Sequence, residues 1–132
     1  MYIKDKIGQN ISEGSYIVYG HLLGRCAALK IGLVLKINSV ISKYSDYHIG
    51  VIGIEEKHLW QYDVTIPCLT KQGTIQYPDR TLVLSREIVP KEYLELFDEY
   101  QRLGKNYHFP TYDELIAKFQ LKQNENNTQT SG

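Results

Sequence analysis

Short segments in which every second residue is apolar follow one another through the first two thirds of this chain. A period of two is typical of β-strands that bury one face, and turn-forming residues separate the segments. The pattern predicts strands over 15–19, 29–37, 47–56, 59–70, 74–77 and 80–85. Because the connections are short, we expect the strands to be antiparallel, in a small barrel or sandwich.

Two features of the first strand pair bear on function. Gly32 interrupts the second strand, which predicts a bulge or a sharp bend there. The stretch 20–27, "GHLLGRCA", separates the two apolar runs and is predicted to be the longest loop of the fold. Loops held on rigid strands often carry binding residues.

The composition changes after Val89. Pro90 suits the start of a helix, and apolar residues at helical spacing predict a helix over 90–103. Thr111 and Glu114 match a capping box and predict a second helix over 112–121. The apolar stripe of each helix would cover the sheet or meet a neighbouring subunit. Residues 122–132 contain no apolar side chain and are predicted to be a disordered tail. The expected division is therefore 1–88, 89–121 and 122–132.

Charge and hydropathy limit the partners. Fifteen basic and fifteen acidic residues balance, which disfavours a broad basic surface for nucleic acid. The sequence has no transmembrane stretch, and "MYIKDKIGQN" lacks the apolar core of a signal peptide, so we expect a cytoplasmic protein. Cys26 and Cys68 are then expected to be free thiols in or near the core.

The strand pair resembles the opening of small SH3-like barrels of the KOW type that occur as short phage-encoded proteins. The positions that carry this pattern are Gly14, Ser15, Ile17, Tyr19, Gly24, Arg25, Leu29, Gly32, Val34 and Ile37. The later "PDRTLVLSREIVPKEYLELF" is also similar to them. The resemblance covers about the first hundred residues, and it implies an SH3-like β-barrel followed by two C-terminal helices. Proteins of this kind include nucleic-acid modules, inhibitors of host proteins and anti-defence proteins.

The expected ligand site centres on Arg25, whose guanidinium suits a phosphate or a carboxylate. Arg80 would join it if the barrel closes, and two converging arginines would form an anion site. Aromatic and imidazole rings would complete the site by stacking on a base. These ring-bearing residues are Tyr19, His21, Tyr44, Tyr47, His48 and Trp60. Each has a structural alternative: an ordinary ion pair for Arg25, edge-strand packing for the tyrosines, and a partly buried position for Trp60.

Neither a catalytic site nor a cofactor is indicated by the sequence. The four histidines lack the spacing of metal ligands, and no phosphate-binding glycine loop or nucleophile motif is present. We therefore expect a non-enzymatic protein without metal or cofactor.

Three function classes remain open. The first is an anti-defence protein that sequesters a nucleotide-derived immune signal, binding it through phosphates and base. The second is a protein–protein module that inhibits or recruits a host factor through its tyrosines or its acidic helix. The third is a nucleic-acid-binding barrel. The first two rank above the third, and a homo-oligomer is compatible with all of them.

Overall fold

The computed structural model describes residues 3–23, 26–39, 47–75 and 78–130, without the side chains of 21–23, 26–27, 39, 47, 79 and 126–130. Strands make up most of the first 84 residues. They are β1 (Ile3–Lys4), β2 (Asn10–Ile11), β3 (Tyr16–Leu23), β4 (Cys26–Ser39), β5 (Tyr47–Leu59), β6 (Val64–Leu69), β7 (Gly73–Ile75) and β8 (Thr81–Leu84). Helices α1 (Lys91–Leu103) and α2 (Tyr112–Thr130) follow, and short 3₁₀ turns lie at Pro78–Arg80 and Gly104–Asn106.

The main sheet is antiparallel and has the order β6-β5-β4-β3-β8, with β7 also paired to β5. The first two strands, β1 and β2, form a separate small sheet. Within the described ranges the main sheet does not close on itself. The predicted mainly β fold with two C-terminal helices is therefore confirmed, whereas the barrel is not.

The two long strands β4 and β5 are paired along only part of their length. They pair from Ser39–Tyr47 as far as Gly32–Gly53, with a bulge at Leu35. Beyond this point, residues 26–31 of β4 pair only with β3, and residues 54–59 of β5 pair only with β6. The sheet is thus split between these two segments.

Three local predictions need correction. The predicted 20–27 loop is largely strand, because β3 runs to Leu23 and β4 begins at Cys26, in register as a hairpin. The bulge is at Leu35 and not at Gly32. The fourth strand begins at Val64 instead of position 59, because residues 60–63 form a turn in which Asp63 adopts a positive φ of 52°.

The alternation along the strands builds two apolar layers. On the helix face, α1 covers a cluster of Tyr16, Leu33, Ile52 and their neighbours, and Phe97 of α1 is fully buried in it. On the opposite face, which we call the cavity face, Ile17, Val34, Ile49 and Val51 pack against Ile3 and Ile11 of the small sheet. Adjacent strand residues thus serve different cores, as a period of two requires.

Asp5 fastens the small sheet to the edge of the main one. This buried carboxylate accepts the backbone N–H groups of Ile7, Gln9 and Val83, the last at 2.7 Å. Burial alone would raise its pKa, but these hydrogen bonds outweigh burial and hold the pKa of Asp5 below its ordinary value. The Val83 N–H on the outer edge of β8 is therefore hydrogen-bonded instead of unpaired.

The helices follow the predicted starts. The capping box at α2 is confirmed, since the Glu114 N–H donates to Thr111 Oγ1 at 3.3 Å. The prediction of a disordered tail is wrong for residues 122–130, because α2 continues through them to Thr130. Lysine, glutamine and glutamate are good helix formers, and a helix already begun extends at low cost. No helix in the described part of the chain is long and apolar enough to cross a bilayer.

Candidate functional site

A cavity of about 870 Å³ opens on the cavity face of the sheet, beside the split between β4 and β5. Its wall is assembled from strands, loops and the connector between the two helices. The lining residues are Tyr19, Gly20, Lys30, Val51, Glu55, Lys57, Cys68, Leu69, Thr70, Lys71, Gly73, Thr74, Ile75, Arg80, Phe109 and Pro110. This size lies in the range of ordinary small-molecule sites.

Tyr19 forms an aromatic surface in this cavity. A Cβ placed on Gly32 would lie 2.8 Å from Tyr19 Cε1, and one placed on Gly53 would lie 2.2 Å from the Tyr19 hydroxyl oxygen. The side chain therefore extends from β3 across β4 to β5, close against two paired glycines. Only glycine leaves room for a ring so near the backbone, which explains both residues. Burial raises the pKa of Tyr19, so its hydroxyl stays protonated at neutral pH.

Four cationic side chains line the cavity, and they come from four different elements. Lys30 on β4 lies directly opposite Tyr19 in the strand register. Lys57 is on β5, and Lys71 lies between β6 and β7. Arg80 ends the 3₁₀ turn immediately before Thr81, the residue that pairs with Tyr19 on the other side. Lys30 and Arg80 are thus neighbours of Tyr19 in the sheet. All four cations share the cavity with its ring, and their charge favours an anion.

A single carboxylate, that of Glu55, is present among the described lining residues. It stands opposite Cys68 in the β5–β6 register, and its nearest oxygen is 3.9 Å from Lys57 Nζ. Burial raises the pKa of the Cys68 thiol, and the charge of Glu55 adds to this effect. Cys68 is a free, buried cysteine, as predicted; the side chain of Cys26 is not described.

The connector between the helices closes one side of the cavity. Phe109 and Pro110 line it, and Phe109 is held by edge contacts with Tyr107 at 5.0 Å and a tilted contact with Tyr100 at 6.5 Å. A second cavity of about 430 Å³ opens on the helix face. Lys30 and Glu55 line both cavities, because they flank the split from either side.

Two of the predicted ligand residues, Tyr19 and Arg80, are brought together by the fold. The predicted partners Arg25 and Tyr44 lie outside the described residues. For His21 and Tyr47 only the backbone is described: His21 pairs with Ala28, and Tyr47 pairs with Ser39.

His48 and Trp60 are not among the residues that line the cavity. His48 is half-buried on β5 opposite Asn38. Trp60 lies in the turn after β5 and is 79 % exposed, so the alternative of a partly buried tryptophan is wrong. Its ring lies 4.3 Å from that of His58, and its backbone N–H donates to the Tyr112 hydroxyl.

Sequence reasoning missed Lys30, Glu55, Lys57 and Phe109 as members of one site. Lys30 and Lys57 are far apart along the chain, with acidic residues between them, so the sequence did not group them. One signal was available: Gly53, Glu55 and Lys57 alternate along a single strand face. Without the register of β4 against β5, that face could not be matched to Tyr19 and Lys30.

No family model, curated protein or solved structure matches this chain in the three comparisons made.

Proposed function

We propose that this protein binds a small, anionic, nucleotide-like molecule in the cavity over Tyr19 and does not change it chemically. The observation that carries this proposal is the Tyr19 ring, which lies against two paired glycines and shares its cavity with four cations. An aromatic surface and convergent cations are the two features that a base linked to a phosphate requires.

The ring supplies the contact for a base. A base stacked on an aromatic side chain gains about 1–3 kcal/mol, and the gain depends little on which base it is. The side chain of Tyr19 is held in place on one side by Gly32 and Gly53, so little ordering would accompany binding. No described residue hydrogen-bonds to its hydroxyl, which leaves that group for a ligand.

The cations supply the contact for phosphate. The ammonium groups of Lys30 and Lys71 make no hydrogen bond or ion pair with the described residues, so each can turn toward a ligand. A cavity needs only a few local cations, which is compatible with the zero net charge of the chain. Because these groups are partly exposed, affinity should fall as salt is added.

The biological role within this proposal is sequestration of a nucleotide-derived immune signal, since the phage-encoded SH3-like proteins that the first strand pair resembles include anti-defence proteins. A binder that only sequesters its ligand releases it unaltered on unfolding. The SH3-like barrel itself stays a prediction, because the main sheet does not close within the described ranges.

Thermal unfolding with ADP, ADP-ribose and cyclic dinucleotides tests the proposal. A ligand at a hundred times its Kd adds about 2.7 kcal/mol, which is a shift of about 10 °C for a domain of this size. We expect Lys30→Gln and Lys71→Gln each to reduce the shift, and Tyr19→Leu to reduce it further. Lys118→Gln, on an exposed face of α2, is the charge-matched control.

Two results would contradict the proposal. One is no shift with any of these compounds. The other is equal affinity in the cavity variants and in Lys118→Gln. Chromatography of the ligand released on heating separates binding from catalysis, because the proposal requires the ligand to be recovered unaltered.

A protein partner is the second candidate, and Trp60 favours it. A tryptophan that is 79 % exposed is unusual for a small domain, and tryptophan is enriched at the centres of protein interfaces. Trp60→Ala would then abolish co-purification of a host protein while leaving nucleotide-dependent thermal shifts unchanged. Nucleic acid has less support, since the cations gather in one concavity instead of along an open face.

A further inference from the structure

The negative charge of the Glu55 carboxylate is unfavourable in a cavity whose other charged groups attract anions. Among the described lining residues it is the one negative charge, set among four cations. A carboxylate at this position weakens the binding of every phosphate by repulsion. Glu55 can favour binding only through a contact with a part of the ligand other than its phosphates.

Glu55 has unused hydrogen-bonding capacity. Its side chain is 40 % exposed, and its distance of 3.9 Å to Lys57 Nζ is longer than a hydrogen bond. No described residue donates a hydrogen bond to it. The neighbouring Glu56, which points to the helix face, instead accepts the Tyr93 hydroxyl at 2.9 Å. An ionised carboxylate only accepts hydrogen bonds, so Glu55 is suited to a ligand that carries donors.

The strand geometry places Glu55 at a defined step from the aromatic ring. The hydroxyl end of Tyr19 lies over Gly53, and Glu55 is the next residue of β5 on the same face, about 7 Å farther along the strand. Lys57 follows Glu55 by two residues on the same face of β5, so Glu55 lies between the Tyr19 hydroxyl and Lys57 along this strand. In a nucleotide the sugar lies between the base and the phosphates, which matches the position of Glu55 between the ring and this cation.

We infer that Glu55 accepts hydrogen bonds from the hydroxyl groups of a ribose, which makes ribonucleotides the ligand class of this cavity. Dideoxynucleotides and bare polyphosphates lack those donors and are disfavoured. This inference rests on the proposed function. A hydrogen bond to a charged group is strong, and losing it should change affinity about ten-fold or more.

Isothermal titration calorimetry with ADP, 2′,3′-dideoxy-ADP and pyrophosphate tests the inference at fixed salt. For the wild-type protein we expect ADP to bind at least ten-fold more tightly than its dideoxy analogue. Glu55→Gln should reduce that preference, because an amide retains one acceptor, and Glu55→Ala should abolish it. Pyrophosphate should bind equally or more tightly to both variants. Glu56→Gln removes the same charge from the other face of the strand and should preserve the preference.

The outcomes separate this inference from the function on which it rests. If all three compounds bind more tightly to Glu55→Ala by the same factor, Glu55 acts only through its charge and the inference is wrong. Equal binding of ADP and dideoxy-ADP by the wild-type protein, which would indicate recognition without the ribose hydroxyls, also overturns it. Binding of none of the three overturns this inference, and the proposed function is overturned with it if ADP-ribose and cyclic dinucleotides also give no thermal shift.

Discussion

Replacement of Gly53 by alanine tests the packing that creates the cavity. The added Cβ would lie 2.2 Å from the Tyr19 hydroxyl oxygen, 3.3 Å from its Cζ and 3.6 Å from Thr70 Oγ1. Contacts of 3.3 Å and more need only small adjustments, but 2.2 Å forces Tyr19 to leave its position. Overpacking of this kind costs about 1–3 kcal/mol.

The clash in Gly53→Ala has one identifiable cause, the hydroxyl oxygen, and Tyr19→Phe removes it. The phenylalanine variant alone should lose less than about 1 kcal/mol, because the hydroxyl has no described hydrogen-bond partner. In the double variant the nearest atom is Cζ at 3.3 Å, so most of the alanine penalty should disappear. A double-mutant cycle should therefore give a coupling energy of about 1–2 kcal/mol between positions 19 and 53.

Urea unfolding followed by circular dichroism measures each free energy, provided that the m-value stays constant. Gly20→Ala is the matched control: a Cβ there has nothing within 4 Å, and its effect should be near zero. Gly32→Ala provides the contrast, since its Cβ would lie 2.7 Å from Val51 Cγ2 and 3.0 Å from the Ile52 carbonyl oxygen. Tyr19→Phe cannot relieve those contacts. Additive effects of Gly53→Ala and Tyr19→Phe, within about 0.5 kcal/mol, would refute the proposed placement of the ring.

Two further predictions concern the layers that hold the cavity face in place. Phe97 is fully buried, and its ring lies 5.6 Å from that of Tyr16. Phe97→Ala should therefore lower the free energy of unfolding, measured by urea titration, by about 3–5 kcal/mol. A loss under about 1 kcal/mol would contradict the packing of α1 on the sheet. Asp5→Ala leaves three backbone N–H groups without their acceptor and should cost about 2–3 kcal/mol at pH 7. Because the folded pKa of Asp5 lies below the unfolded one, its contribution is present above about pH 4 and is lost as the pH falls through the folded pKa. The difference in unfolding free energy between the wild-type protein and Asp5→Ala should therefore shrink on acidification. A difference that is equal at pH 7 and pH 2 would show that the carboxylate is not its cause.

Local patterns in the sequence were sufficient for the element types. Short apolar runs on β3 and β5 supply residues to two different cores from their two faces, so they predict strands directly. Phe97 and its neighbours repeat at helical spacing because one stripe of α1 packs on the sheet. The capping box at Thr111 and Glu114 is equally local, since its hydrogen bonds span three residues.

The predictions that failed depend on pairing between distant segments. Gly32 was predicted to mark a bulge. A glycine is needed at this position because the Tyr19 ring, which comes from another strand, lies against it. The stretch 20–27 looked like a loop, but cross-strand register extends the hairpin to Leu23 and Cys26. Trp60 looked like a partly buried residue, but the turn that ends β5 places it outside both apolar layers.

By itself the sequence determined an antiparallel, mainly β chain with two C-terminal helices, because residue spacing is a property of each segment alone. The tertiary structure decided which charges share a concavity. Lys30 and Lys57 line it with Tyr19 because β4 and β5 separate beyond the Gly32–Gly53 pair, and Arg80 joins them because β8 pairs with β3. Side chains far apart in the sequence become neighbours through strand register, and register is fixed by the packing of whole faces rather than by any short motif.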